Sequence, residues 1–65
     1  MDYGKRIKEL REAAGMTQIE LASLAKITQP HLCNIENGEI GVTAKTGTKI
    51  AAALGIKLAD LFREE

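Results

Sequence analysis

Apolar side chains recur along the chain at helical intervals, in blocks separated by glycines, and never in the strict alternation that a half-buried strand requires. Tyr3, Ile7, Leu10 and Ala14 share one helix face. Gly15 follows as a residue able to take the left-handed conformation that ends a helix, which predicts a first helix over about 3–14. Thr17-Gln18-Ile19-Glu20 reads as a capping box. The Thr17 hydroxyl can accept from the Glu20 backbone N–H while the Glu20 carboxylate reaches back, and Met16 and Leu21 fit the flanking hydrophobic staple. A second helix is expected over 18–25. Lys26-Ile27 then leaves only a tight turn before Thr28 offers another N-cap, with Ile27 and Leu32 as its staple.

The third helix is expected over 29–37, ending at Asn37-Gly38. Pro30 suits its start, where the first N–H groups have no internal partner and a missing donor costs nothing. Proline also disfavours helical geometry in the residue before it, so either Thr28 or Gln29 could be the effective cap. After the loop "EIGV", Thr43 can cap a fourth helix over 44–54, Gly55 stops it, and Leu58, Leu61 and Phe62 mark a short fifth over 58–63. The fold class is all-α, a single domain over residues 1–65 without internal repeat, low-complexity segment or linker.

The third helix has an unusual outer face. At about 100° per residue, Leu32 and Ile35 fall on one side, and Pro30, Asn34 and Asn37 on the other. A solvated face normally carries Lys, Glu and Arg, whereas this one is polar and nearly uncharged. Two short helices joined by a tight turn, the second apolar inside and polar outside, form a helix-turn-helix. Short neutral amides suit its second helix, because Asn and Gln can pair bidentately with adenine in the major groove.

At this point "MTQIELASLAKITQPHLCNIENG" resembles the helix-turn-helix of the phage repressor and Cro-like family, also called the xenobiotic-response-element type. The resemblance extends over nearly the whole chain, since "YGKRIKELREAAGMTQ" is similar to that family's first helix and "KIAAALGIKLADLF" to its last two. It implies a compact five-helix, repressor-like DNA-binding domain, usually a twofold dimer, with the third helix in the major groove of double-stranded DNA and the second helix's N-terminus on a phosphate. Carried over by position, Gln18 would contact the DNA backbone, Gln29, Pro30 and Asn34 would face bases, and Asn37 would face phosphate. His31 and Lys45 are counted with these DNA-contacting residues. Arg11 and Glu36 match a structural ion pair that ties the first helix to the third. The departures are equally specific: Lys26 stands where the family often has glycine, Glu39 lies in a loop that is often basic, Pro30 replaces a polar reader, and Ala44, Gly47 and Thr48 stand where leucine is common, which would thin the core.

Composition narrows the alternatives. A chain of 65 residues buries only about 60% of the surface its unfolded form exposes, so a deep catalytic cleft is not expected. One Cys cannot form an intramolecular disulfide, and with one His it cannot complete a four-ligand Cys/His zinc site. His31 and Cys33 stand at i, i+2 and do not share a helix face, so no metal site is expected. "GVTAKTGTK" has five residues between its glycines where a phosphate-binding loop has four, and Thr48-Lys49 reverses the required order. Lys5, Arg6, Lys8 and Arg11 are interleaved with Glu9 and Glu12, the pattern of a solvated helix. No apolar run spans a bilayer and the charged start lacks the core of a signal peptide, so the expected location is cytoplasmic and nucleoid-associated.

The expectation is therefore a sequence-specific transcriptional regulator, dimeric on a palindromic site, with no catalytic residues, cofactor or small-molecule ligand. Nine basic residues balanced by nine acidic ones supply no net attraction to DNA. That neutrality, Glu39, and Ile19 and Leu24 at positions where the family is often polar favour a rival reading, a protein-interaction module of antitoxin-like or regulator-binding type on the same scaffold.

Overall fold

The computed structural model describes residues 3–62. They form five helices and no strand: α1 (Tyr3–Ala13), α2 (Gln18–Ala25), α3 (Gln29–Glu36), α4 (Ala44–Leu54) and α5 (Leu58–Leu61). The first helix ends one residue before its expected limit, and the third ends at Glu36 with Asn37 as its C-cap. The expected end of the fifth helix at 63 lies outside the described residues.

Three of the helices start in the same way. Thr17, Thr28 and Thr43 are extended, and their hydroxyls accept from the backbone N–H of Glu20 (3.1 Å), His31 (3.2 Å) and Thr46 (3.1 Å). Each such cap contributes typically about 1 kcal/mol relative to Ala. The box at α2 is closed by the Thr17 N–H donating to Glu20 Oε1 at 2.9 Å. At α3 the cap is Thr28 rather than Gln29: Thr28 takes up the His31 N–H, Pro30 has no N–H to satisfy, and Gln29 is already helical.

Ile7, Leu21, Leu32, Ile35, Ile50 and Leu61 are completely buried, so every helix contributes at least one side chain to a single core. Ala22 and Ala25 on α2 and Ala51 on α4 are also buried, and their small side chains allow these two helices to pack closely. α2 lies between α3 and α4, while α1 bridges α3 and α5.

Three expectations about charge and packing are corrected here. The inner face of α1 consists of Gly4, Ile7 and Arg11, whereas Leu10 is half-buried and Ala14 exposed. The basic residues of this helix are not merely a solvated pattern. Arg11 is buried, and Arg6 donates from Nε (3.2 Å) and Nη2 (2.8 Å) to the Asp60 carbonyl oxygen, fastening α1 to α5. The core is also not thinned at Gly47. A Cβ built there would lie 2.8 Å from Phe62 Cζ and 3.2 Å from Leu58 Cδ1, so the missing side chain is the seat of an aromatic ring supplied from beyond α5. The same ring meets Tyr3 edge-on, with centroids 4.8 Å apart.

The turn between α2 and α3 carries backbone strain. Lys26 adopts φ 58° and ψ 42°, the only non-glycine residue with positive φ among those described. The conformation lets the Ile27 N–H reach the Ala22 carbonyl at 3.0 Å, which closes α2 and turns the chain directly into the next cap. Its cost in a lysine is about 1–2 kcal/mol. Among the described residues, no helix is long and apolar enough to cross a membrane.

Candidate nucleic-acid interface

The polar face of α3 rests on a chain of hydrogen bonds that begins inside the protein. Arg11 on α1 meets Glu36 at the end of α3 in a two-pronged pair, Nε to Oε2 at 2.8 Å and Nη2 to Oε1 at 3.1 Å. The Glu36 side chain is 1% exposed and that of Arg11 10%. Arg11 Nη1 also donates to the Met16 carbonyl oxygen at 2.8 Å, which joins the pair to the segment entering α2. The hydrogen bond to Glu36, and then the negative charge of Glu36 and Glu12, raise the Arg11 pKa above its ordinary value, against an opposing effect of burial. A raised value means that the guanidinium stays charged, so the stabilisation it draws from an ionised Glu36 is not lost on the alkaline side until pH passes the ordinary arginine range.

From Glu36 the chain of bonds runs outward. Gln18 Nε2 donates to Glu36 Oε1 at 3.1 Å, and Gln29 Nε2 donates to Gln18 Oε1 at 2.8 Å. Gln18 and Gln29 are the first residues of α2 and α3, each directly after a capping threonine. Both are half-buried. These links were not recognised from the sequence, although a signal for them exists in the Thr-Gln pair repeated at the starts of two successive helices.

The remaining positions are arranged as follows. Pro30 and Asn37 are exposed, and His31 and Asn34 are half-buried, the four being spread along α3 from its first turn to its C-cap. The Asn34 amide makes no hydrogen bond within the described structure and is solvent-accessible. Asn37 Nδ2 donates to Cys33 Sγ at 3.5 Å, so the cysteine is engaged beside the outer face. Lys45 is exposed in the first turn of α4, with Lys26 and Lys49 also exposed on their own elements and Glu39 exposed in the loop after α3. The structure therefore unites Gln18 and Gln29 with Arg11 and Glu36, places Pro30, His31, Asn34 and Asn37 along α3, and leaves Lys45 on a separate helix. α2 has an outer face of another kind, where Ile19 (70% exposed) and Leu24 (58%) flank Glu20 and Ser23 in an apolar depression.

A family model described as helix-turn-helix matches residues 7–61. The chain belongs to the helix-turn-helix family of phage-repressor and Cro type. This is a family of DNA-binding regulators rather than enzymes. The helix-turn-helix chain is 34% identical over 65 residues to an immunity repressor protein of Bacillus phage phi105, covering 100% of this chain and 45% of that one. It is 44% identical over 54 residues to the provisionally named antitoxin HigA2 of Mycobacterium tuberculosis, covering 82% of this chain and 54% of the relative. It thus spans about half the length of these two curated relatives. Its fold matches the crystal structure of the restriction-modification controller protein C.AhdI from Aeromonas hydrophila with a TM-score of 0.90 and 34% identity, over 94% of this chain and 92% of that one.

Proposed function

We propose that this domain is a sequence-specific reader of double-stranded DNA in a transcriptional regulator, with α3 in the major groove and two copies on a palindromic site. The observation that carries the reading is the composition of α3. Its buried side is anchored by Leu32, Ile35 and the Arg11–Glu36 pair, and its outer side presents Gln29, Pro30, Asn34 and Asn37 without a single charge. Neutral amides in the groove discriminate bases, whereas long cationic side chains chiefly find phosphates. Pro30 offers an apolar surface suited to a thymine methyl. Lys45 supports the same reading, because a cation in the first turn of a helix opposes the helix dipole and stabilises nothing locally.

Selection of bound sequences from a random double-stranded pool tests this reading. A recovered palindrome is the expected outcome, and failure to enrich any sequence overturns it. The selected operator should also show a shallow salt dependence, because Arg6 and Arg11 are committed within the protein. Each phosphate neutralised adds about −0.9 to the slope of log affinity against log salt, and the exposed Lys26, Lys45 and Lys49 give on the order of −2 to −4 per monomer.

A second reading, a protein-docking module, is favoured by exposed Ile19 and Leu24 on the outside of α2. The two readings differ in what α2 does: in the first its N-terminus meets a phosphate, and in the second its outer face meets a protein. Saturable DNA binding that survives Leu24→Ser separates them in favour of the first.

A further inference from the structure

We propose that the outer face of α2 is a contact between two copies of this chain, related by a twofold axis and used when neighbouring copies lie on one DNA. Its use on DNA rests on the DNA-reading assignment above; the contact itself does not.

Two of the three large hydrophobic side chains exposed among the described residues, Ile19 and Leu24, stand on this one helix. Glu20 and Ser23, both exposed, complete the same face. The buried side of α2, made of Leu21, Ala22 and Ala25, packs on α3 and α4, and those elements leave the outer face uncovered. At about 100° and 1.5 Å per residue, positions i, i+1, i+4 and i+5 are the corners of a parallelogram on the helix surface. Ile19 and Leu24 end its long diagonal, Glu20 and Ser23 its short one. A twofold axis along the long diagonal lays Ile19 on Ile19 and Leu24 on Leu24 of the second copy. It also exchanges the ends of the short diagonal, so each Glu20 carboxylate meets the other copy's Ser23 hydroxyl.

The polar groups suit that exchange. Glu20 Oε1 accepts from the Thr17 N–H at 2.9 Å, and its second oxygen has no partner among the described residues. The Ser23 hydroxyl makes no hydrogen bond among them either. A hydroxyl donates and a carboxylate accepts, so two copies satisfy both groups twice without any further residue. An axis along the short diagonal would instead set carboxylate against carboxylate, which like charges oppose. The face thus specifies both its occupant and the direction of the axis.

Area sets the strength of the contact. The face offers four side chains per copy, against roughly 20–30 residues a side in a stable interface. Such a contact does not hold two copies together in dilute solution. Attachment to one DNA raises the effective concentration to the millimolar range, and there the same contact makes binding cooperative. Thr17 and Gln18, at the N-terminus of α2, lie outside this face and stay available to a phosphate.

Two measurements test the contact. In the purified protein without DNA, backbone amide signals are followed by 15N-correlated NMR up to millimolar concentration. Those of α2 should shift with concentration in the parent and stay fixed in Leu24→Ser. Ser23→Lys, which sets an ammonium against the other copy's Glu20, should move the midpoint to lower concentration. On DNA, a single selected site is compared with tandem sites spaced by whole helical turns. The parent should bind the tandem cooperatively, by a factor of about 5–150. Leu24→Ser should bring that factor near unity with single-site affinity unchanged, and Ser23→Lys should increase it. Amide signals of α2 independent of concentration in the parent would overturn the contact. Concentration-dependent α2 signals together with independent binding to tandem sites at every spacing would overturn its use on DNA. If the parent enriches no sequence, the DNA-reading assignment fails, and the NMR result still decides the contact.

Discussion

The front and rear of this domain are held together by different physics. At the front, α1, α2 and α3 converge on Arg11, Glu36, Gln18 and Gln29, four polar side chains joined at 2.8–3.1 Å. At the rear, α1, α4 and α5 converge on Gly47, Phe62, Leu58 and Tyr3, where an aromatic ring fills the space left by a missing side chain. Apolar packing is tolerant of direction, since a ring can turn or slide at modest cost as long as the volume is filled. Hydrogen bonds to a buried carboxylate are not tolerant, because each lone pair and proton has to be matched. The buried carboxylate network lies under the helix proposed to read DNA, whereas at the rear the apolar packing is joined only by the hydrogen bonds from Arg6 to the Asp60 carbonyl oxygen among the directional links described.

Breaking the front link should give the largest effect. Glu36→Ala leaves the Arg11 guanidinium buried without its counter-charge, and loss of one partner of a buried pair costs about 3–5 kcal/mol, a large share of what a domain of this size has. Urea unfolding measures it; a midpoint like the parent's would mean that the pair contributes little and that the front is held as loosely as the rear. Next in size is Asn34→Ala, which touches neither region's packing. It should leave the fold intact and abolish about 1–3 kcal/mol of discrimination at one base pair, read from binding to single-base variants of the selected operator.

The rear should respond more weakly and with a sign that depends on context. Gly47→Ala gains roughly 0.8–1 kcal/mol of helix propensity but places a methyl group against Phe62, and overpacking typically costs about 1–3 kcal/mol. Net destabilisation of up to about 2 kcal/mol is expected in the parent. In a Phe62→Ala background only the flexible tip of Leu58, at 3.2 Å, remains against the new methyl group, and the same substitution should stabilise by up to about 0.8–1 kcal/mol. Thermal or urea unfolding of the four proteins in this cycle would reveal the reversal, and equal effects in both backgrounds would show that the ring does not occupy the glycine seat. The smallest change is at the turn between the two front helices α2 and α3: Lys26→Gly should raise stability by about 1 kcal/mol by removing the left-handed strain, without altering the selected sequence.

Much of the fold was legible because it is encoded locally. A threonine before a helix, a glutamate three residues on, a glycine after the last apolar position and a proline in a first turn act within a few residues of themselves, and they located α1 to α4 to within a residue. Leu32 and Ile35 as the inner side of α3, and its neutral outer side, follow from periodicity alone. Other features needed the chain to be folded. The apolar spacing of α1 does not mark Arg11 as an inner residue; the family resemblance pairs it with Glu36, and the fold, bringing the two to 2.8 Å, shows that a guanidinium takes the place of an apolar side chain there. Arg6 looks like a solvated cation until α5 supplies the Asp60 carbonyl, 54 residues away. Gly47 looks like a helix defect until Phe62 is laid against it.

The candidate site divides in the same way. The sequence by itself determined which residues stand at the start and on the outer side of α3, because cap and period are short-range properties of the chain. Tertiary structure alone decided that Gln18 and Gln29 are bonded to each other and to Glu36, and hence which atoms of Gln29 remain to face outward. The physical reason is the range of the interactions: a cap or a helical face is set by neighbours along the backbone, whereas the donor order of a buried amide is set by whichever charge the folded chain brings against it.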